Sequence, residues 1–161
     1  MRPTLTHIAL HVADLESCIE FYRSYCGMQI IHERSPEKSS ADSPDAGKRI
    51  VWMAEAGRER ELIFVLMPGG RPQTPAPRDY GHIGFALESR AAVDRIAERA
   101  RREGRLSWEP VDEDYPVGYY CGVSDPNGTV IEFSYGQPLG PGAPTESAES
   151  PAPGEQARHD A

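Results

Sequence analysis

Polar and apolar positions alternate over residues 4–12, and the segment is rich in β-formers, which predicts a strand. Asp14 then offers a helix N-cap. Leu15, Cys18, Ile19, Tyr22 and Cys26 recur at helical spacing, and Gly27 supplies the stop. Met28–Glu33 reads as a second strand. Residues 34–48 are polar and rich in Ser, Pro and Asp, so they predict a flexible loop. Arg49–Ala54 and Glu61–Met67 are two further strands around a turn at Glu55–Glu59, which contains Gly57. The order is β-α-β-β-β over residues 4–67.

The same order then returns. A connector at 68–79 carries prolines 68, 72, 75 and 77. Tyr80–Leu87 is the next strand, and Ser89 caps a helix whose apolar face is Val93, Ile96, Ala97 and Ala100, ending at Gly104. Leu106–Pro110, Tyr119–Val123 and Thr129–Tyr135 complete a second unit over residues 80–136. Asp125-Pro126-Asn127-Gly128 forms the tight turn before its last strand. The openings are alike in wording as well as pattern. Residues 6–13 read Thr-His-Ile-Ala-Leu-His-Val-Ala and residues 81–88 read Gly-His-Ile-Gly-Phe-Ala-Leu-Glu. The expected fold is α+β, built from two tandem β-α-β-β-β units, with a mostly antiparallel sheet and helices on one face.

Composition narrows the setting. At 161 residues the chain holds one domain with a sizeable core. From Gln137 onward it is Pro, Gly, Ala, Ser and Glu, the composition of a disordered acidic tail over 137–161. That tail contributes −3 to the net charge of −8, so the body is also acidic. An acidic body argues against nucleic acid as a partner, since phosphate contacts need clustered Lys and Arg. No apolar run approaches 18 residues and no segment reads as a signal peptide, so no membrane partner is expected. Three cysteines without a Cys-x-x-Cys spacing fit buried thiols in a reducing, cytoplasmic setting.

The repeat carries the chemistry. His7 and His82 occupy equivalent places in the two units, and imidazoles related in this way can converge on one metal ion. Each alone is equally a core or edge histidine. Glu132 lies between Ile131 and Phe133 in the last strand. It either faces solvent or is a buried carboxylate, which costs several kcal/mol unless paired or bound to a cation. Tyr115, Tyr119 and Tyr120 precede that strand, and a phenol there can donate a hydrogen bond to a substrate oxygen. They are equally strand aromatics of a core. His11 shares the parity of His7. Trp52 and Phe64 can wall an apolar substrate pocket, and Trp108 reads equally as core.

These residues resemble a known family. His7-Ile-x-Leu-x-Val-x-Asp-Leu15 followed by Phe21-Tyr22, Tyr-Gly-His-Ile-Gly-Phe at 80–85, and Asp-Pro-Asn-Gly-Thr-Val-Ile-Glu-Phe at 125–133 are similar to the vicinal oxygen chelate superfamily. It includes glyoxalase I, extradiol dioxygenases, fosfomycin-resistance enzymes and bleomycin-binding proteins. The resemblance spans about residues 4–136. It implies paired units forming a curved, open barrel around one divalent metal, with His7, His82 and Glu132 as ligands. Glyoxalase I has a fourth ligand, a Glu on the last strand of unit one. The repeat places Phe64 there, and neither Ile63 nor Val65 can bind metal, so this ligand is expected to be absent. Two histidines and one carboxylate leave open positions suited to Fe(II) or Mn(II), with Ni(II) or Zn(II) as other candidates.

The implied function is a metal-dependent enzyme acting on a small molecule that chelates through vicinal oxygens. Its chemistry would be extradiol-dioxygenase-like or glyoxalase-like (lyase or isomerase). The dioxygenase second-shell histidine has no match in His11, His32 or His159. Ala9 stands where the fosfomycin-type transferases have Thr. The alternative is a metal-free drug-binding protein of the bleomycin-resistance type. The resemblance also implies a homodimer, and the connector at 68–79 can either link the units within a chain or permit their exchange between chains.

Overall fold

The computed structural model describes residues 2–35, 37, 46–76, 79–140 and 143–144. Most of the predicted loop at 34–48 and of the predicted tail lies outside these residues. The elements are β1 (His7–Val12), α1 (Leu15–Cys26), β2 (Met28–Arg34), β3 (Ile50–Glu55), β4 (Ile63–Pro68), β5 (His82–Ala86), α2 (Arg90–Arg102), β6 (Leu106–Glu113), β7 (Gly118–Ser124) and β8 (Val130–Tyr135). Both β-α-β-β-β units are present. They form two curved four-stranded sheets, ordered β1-β4-β3-β2 and β5-β8-β7-β6, that do not close into a barrel.

Each sheet is mixed. The first and last strands of each unit pair in parallel (β1 with β4, β5 with β8), and the other pairs are antiparallel. The pairing is mostly antiparallel, as expected, and the parallel pair in each unit is the exception. The helix after the first strand carries the chain across, which permits a parallel return beside that strand.

The helices begin and end as their residues dictate. Asp14 Oδ1 accepts from the Ser17 amide at 3.0 Å, and Gly27 closes α1 at φ 65. Ser89 Oγ accepts from the Ala92 amide at 3.2 Å at the start of α2. Strand β6 runs three residues past its predicted end at Pro110. Its pairing with β7 slips between Trp108 and Val111, and that slip on an edge strand tolerates a proline with no N–H to give.

One core joins both units. Tyr22, Met53, Leu66, Ile131 and Phe133 are fully buried in it, and the ring contact Phe64–Phe85, at 6.0 Å between centroids, crosses from β4 to β5. The turn at Asp125–Gly128 reinforces the junction. The Tyr22 hydroxyl donates to Asp125 Oδ2 at 2.9 Å, and Asn127 Oδ1 accepts from the Ala13 amide at 2.9 Å. Burial holds the Asp125 carboxyl above its usual range despite these donors. The three cysteines are free thiols, and burial pushes Cys18 and Cys121 up to about 12.

Alternation decides what remains outside this core. Ile8, Leu10 and Val12 pack inward from β1, so His7, Ala9 and His11 lie on the opposite face. In β5 and β8, Ile83, Phe85, Ile131 and Phe133 pack inward, so His82, Gly84 and Glu132 lie on the opposite face.

Candidate functional site

His82 and Glu132 meet on the second sheet. His82 opens β5, and Glu132 lies at the middle of the neighbouring strand β8, paired with Gly84. Nε2 of His82 is 3.3 Å from Oε2 of Glu132, with the histidine side chain 36% exposed and the glutamate 7% exposed. Backbone register explains how this carboxylate finds room. Gly84 and Gly122 flank Glu132 on both neighbouring strands, so no side chain covers it from either side. The absence of a Cβ at Gly122 also admits the Trp108 ring, which would lie 2.6 Å from such an atom.

The histidine is locked in one tautomer. Its Nδ1 lies 2.7 Å from the Tyr80 carbonyl oxygen, which can only accept, so Nδ1 carries the proton. Nε2 then presents its lone pair toward the carboxylate. Two acceptors this close need a positive centre between them, either a second ring proton or a metal ion. Glu132 is held at its other end: the Gln137 amide donates to Oε1 at 2.9 Å. Gly136, at φ 89, turns the chain back after β8 so that Gln137 can reach. Both groups thus have the outer support that metal ligands use to fix orientation.

Two cavities share this pair. One, of about 960 Å³, is lined by Gly84, Phe85, Ala86 and Val117, by Glu55 and Arg58 of the β3–β4 turn, and by Gln137–Gly140. Residues 137–140, grouped by composition with the tail, therefore lie along the cavity wall. The other, of about 560 Å³, opens toward Tyr80, Trp108, Glu113 and Tyr120. The Tyr120 hydroxyl donates to Glu113 Oε1 at 2.8 Å, which pushes the phenol up to about 12 and keeps it protonated at neutral pH.

The other sequence candidates lie elsewhere. His7 is exposed on the first sheet, with Nδ1 3.1 Å from Thr6 Oγ1. Among the described residues no three His, Cys, Asp or Glu side chains converge, so one chain brings together His82 and Glu132 without His7. His11 bonds the Pro68 carbonyl through Nε2 at 3.2 Å. Trp52 sits on β3 edge-on to His32, 5.1 Å between ring centroids, and Tyr115 is 70% exposed. None of these three lines either cavity.

Two candidates are corrected outright. Tyr119 points to the helix side, where its hydroxyl donates to Asp94 of α2 at 2.6 Å. It is adjacent in sequence to Tyr120 and therefore faces the opposite way. Phe64 is 2% exposed in the core between Tyr22 and Phe85 and lines neither cavity beside the pair. Pairing explains the error. His7 pairs with Ile63 and His82 with Val130, so Ala9–Val65 is the counterpart of Gly84–Glu132. Val65, not Phe64, stands where unit two has its carboxylate. Tyr80, Glu113 and Gln137 were missed: the first acts through its backbone carbonyl, and the others acquire their places only from strand pairing and the turn at Gly136.

Residues 4–133 match the model of the glyoxalase/bleomycin resistance protein/dioxygenase superfamily. The chain belongs to this superfamily. A Pseudomonas aeruginosa protein described as uncharacterised is 59% identical over 143 residues, covering 89% of this chain and 96% of its own length. A 2-epi-5-epi-valiolone epimerase of an Actinomyces species is 37% identical over 67 residues, covering 41% of this chain and 34% of its own length. Among solved structures, the fosfomycin resistance protein FosX of Listeria monocytogenes, in a mutant complexed with Mn(II) and 1S,2S-dihydroxypropylphosphonic acid, superposes with TM-score 0.60. It is 25% identical over 85% of this chain and 95% of its own. Glyoxalase I of Zea mays, also as a mutant, shares the fold at TM-score 0.60 and 20% identity, over 81% of this chain and 43% of its own.

Proposed function

We propose that this superfamily member is a divalent-metal enzyme of lyase, isomerase or epimerase type, acting on a small molecule with two neighbouring oxygens. The observation that carries the reading is the pair itself: a bare imidazole Nε2 and a nearly buried carboxylate aimed at one point, both oriented from behind. His82 and Glu132 would hold the ion. His7 of a second copy would complete the set, since His7 lies on the outward face of the other sheet and no third ligand joins the pair among the described residues.

A bound ion would act as a Lewis acid on the two substrate oxygens. The chain's own residues do the rest. Trp108 and the wall at Phe85, Val117 and Leu139 exclude water. Tyr120, protonated at neutral pH, can turn its O–H from Glu113 to a substrate oxygen and return it. FosX, with Mn(II) and a dihydroxy ligand, and the epimerase over its matched segment support this class.

The deciding experiment is metal analysis of protein purified without chelator or His-tag, beside His82→Ala and Glu132→Ala. About one Mn or Fe per chain, lost in both variants, is the expected result. Full occupancy in either variant, or a wild type that binds no divalent ion when loaded, would overturn the assignment and leave a metal-free binding protein.

A further inference from the structure

The smaller cavity beside His82 is built for a positive charge. Tyr80, Trp108 and Tyr120 line it with their rings. Trp108 and Tyr120 meet at 90° with centroids 6.5 Å apart, and Tyr80 leans over Trp108 at 6.3 Å and 48°. Two carboxylates, Glu113 and Glu132, share the recess, and no Lys or Arg lines it among the described residues. Glu109 also reaches the rim, but Arg101 of α2 holds it at 2.5 Å. The larger cavity gives no contrary signal. Its basic lining residue, Arg58, is engaged by Glu55 at 3.2 Å and Glu61 at 2.6 Å.

We propose that this aromatic recess binds a cationic nitrogen, an amine or quaternary ammonium, of the molecule the protein acts on. An aromatic ring face carries a negative quadrupole, and a cation within about 6 Å of a centroid is attracted. Glu113 supplies the formal counter-charge while its hydrogen bond to Tyr120 fixes the phenol ring. An anionic group there would face the Glu113 carboxylate instead. That the cation belongs to the substrate, placed so that its oxygens reach the His82–Glu132 pair, rests on the Proposed function above; binding of the cation itself does not.

The test titrates choline into the full chain carrying Trp52→Phe, so that Trp108 is its lone tryptophan, and follows indole fluorescence. The control is 3,3-dimethyl-1-butanol, the neutral carbon isostere of choline. Choline is expected to bind saturably and on the order of tenfold more tightly than the isostere. Ethanolamine shows whether a primary ammonium competes. Glu113→Gln, at an exposed position, is expected to weaken choline severalfold while leaving the isostere unchanged. Equal affinity for choline and its isostere, or no saturation, overturns the proposal. Metal content measured on the same samples separates the two readings. Choline discrimination without metal binding leaves the recess standing alone, and metal binding without discrimination removes only the recess.

Discussion

If the metal set is shared between copies, two inactive variants must repair each other. In a His7→Ala chain, His82 and Glu132 are intact. In a Glu132→Ala chain, His7 is intact. Each pure variant dimer lacks one ligand at both sites and is expected to bind no metal tightly. A two-fold dimer mixed from the two has one site with both mutations and one site with neither. Random exchange at equal concentrations makes about half of the dimers mixed, and half of their sites are whole. About a quarter of wild-type metal content and activity should therefore return on mixing, after mild unfolding and refolding to let subunits exchange. The expectation follows from placement: His7 opens β1 of one sheet, His82 and Glu132 share the other, and no third ligand joins them among the described residues. Metal content by elemental analysis, with exchange verified by a size-tagged chain, reads the result. No recovery after demonstrated exchange would falsify the shared site. Metal retained by pure His7→Ala would remove His7 from the ligand set altogether.

Val65→Glu, and not a change at Phe64, is expected to add a fourth ligand, the second carboxylate, on the His7 face and to raise Ni(II) or Zn(II) affinity at least tenfold by competition titration. Phe64→Ala is expected to cost about 3–5 kcal/mol in urea unfolding through the cavity it leaves, without a direct loss of ligand. Gln137→Ala removes the donor on Glu132 Oε1 and should weaken metal binding about 10–100-fold, with the melting temperature of the metal-free protein little changed. Asp125 is raised by burial, so the native state holds its proton more tightly than the unfolded chain. Its contribution to stability therefore falls as pH climbs from its ordinary value of 3.8 through the raised native value. Asp125→Asn should flatten that part of the stability–pH curve, and an unchanged slope would show that another group is responsible.

Periodicity and capping made the units legible: every element was readable from apolar spacing, an Asp or Ser cap, and the Gly27 and Pro-Asn-Gly stops. The pairing of His82 with Glu132 was readable too, because the repeat marks both as the polar residues of otherwise apolar strands. What escaped was register. A one-residue offset between strands reverses every side chain, and so the repeat alone aligned Phe64 with Glu132 where strand pairing aligns Val65. Tyr119 and Tyr120 show the same limit: adjacent phenols of equal promise end on opposite faces, one on Asp94 and the other on Glu113. Gln137 carried no pattern at all, since its role depends on a backbone reversal at Gly136.

Register also shows how the two units have diverged. Across the second sheet one row reads Gly84, Glu132, Gly122 and Trp108. Across the first the matching row reads Ala9, Val65, Trp52 and His32. In the second row the glycines clear space around a carboxylate and let an indole lie flat beside it. In the first, Val65 has replaced the carboxylate and Trp52 fills the position of Gly122, so there is neither an anion nor room for one. Unit one is left with an imidazole and an apolar wall, and unit two with an imidazole, a carboxylate and the aromatic recess. Two such sheets facing each other between copies, as proposed, would give one site with two histidines and a single carboxylate, one charge short of a set drawn from two identical halves. An ion held by only one carboxylate keeps more of its positive charge for the substrate, which favours polarising two neighbouring oxygens over tight structural binding.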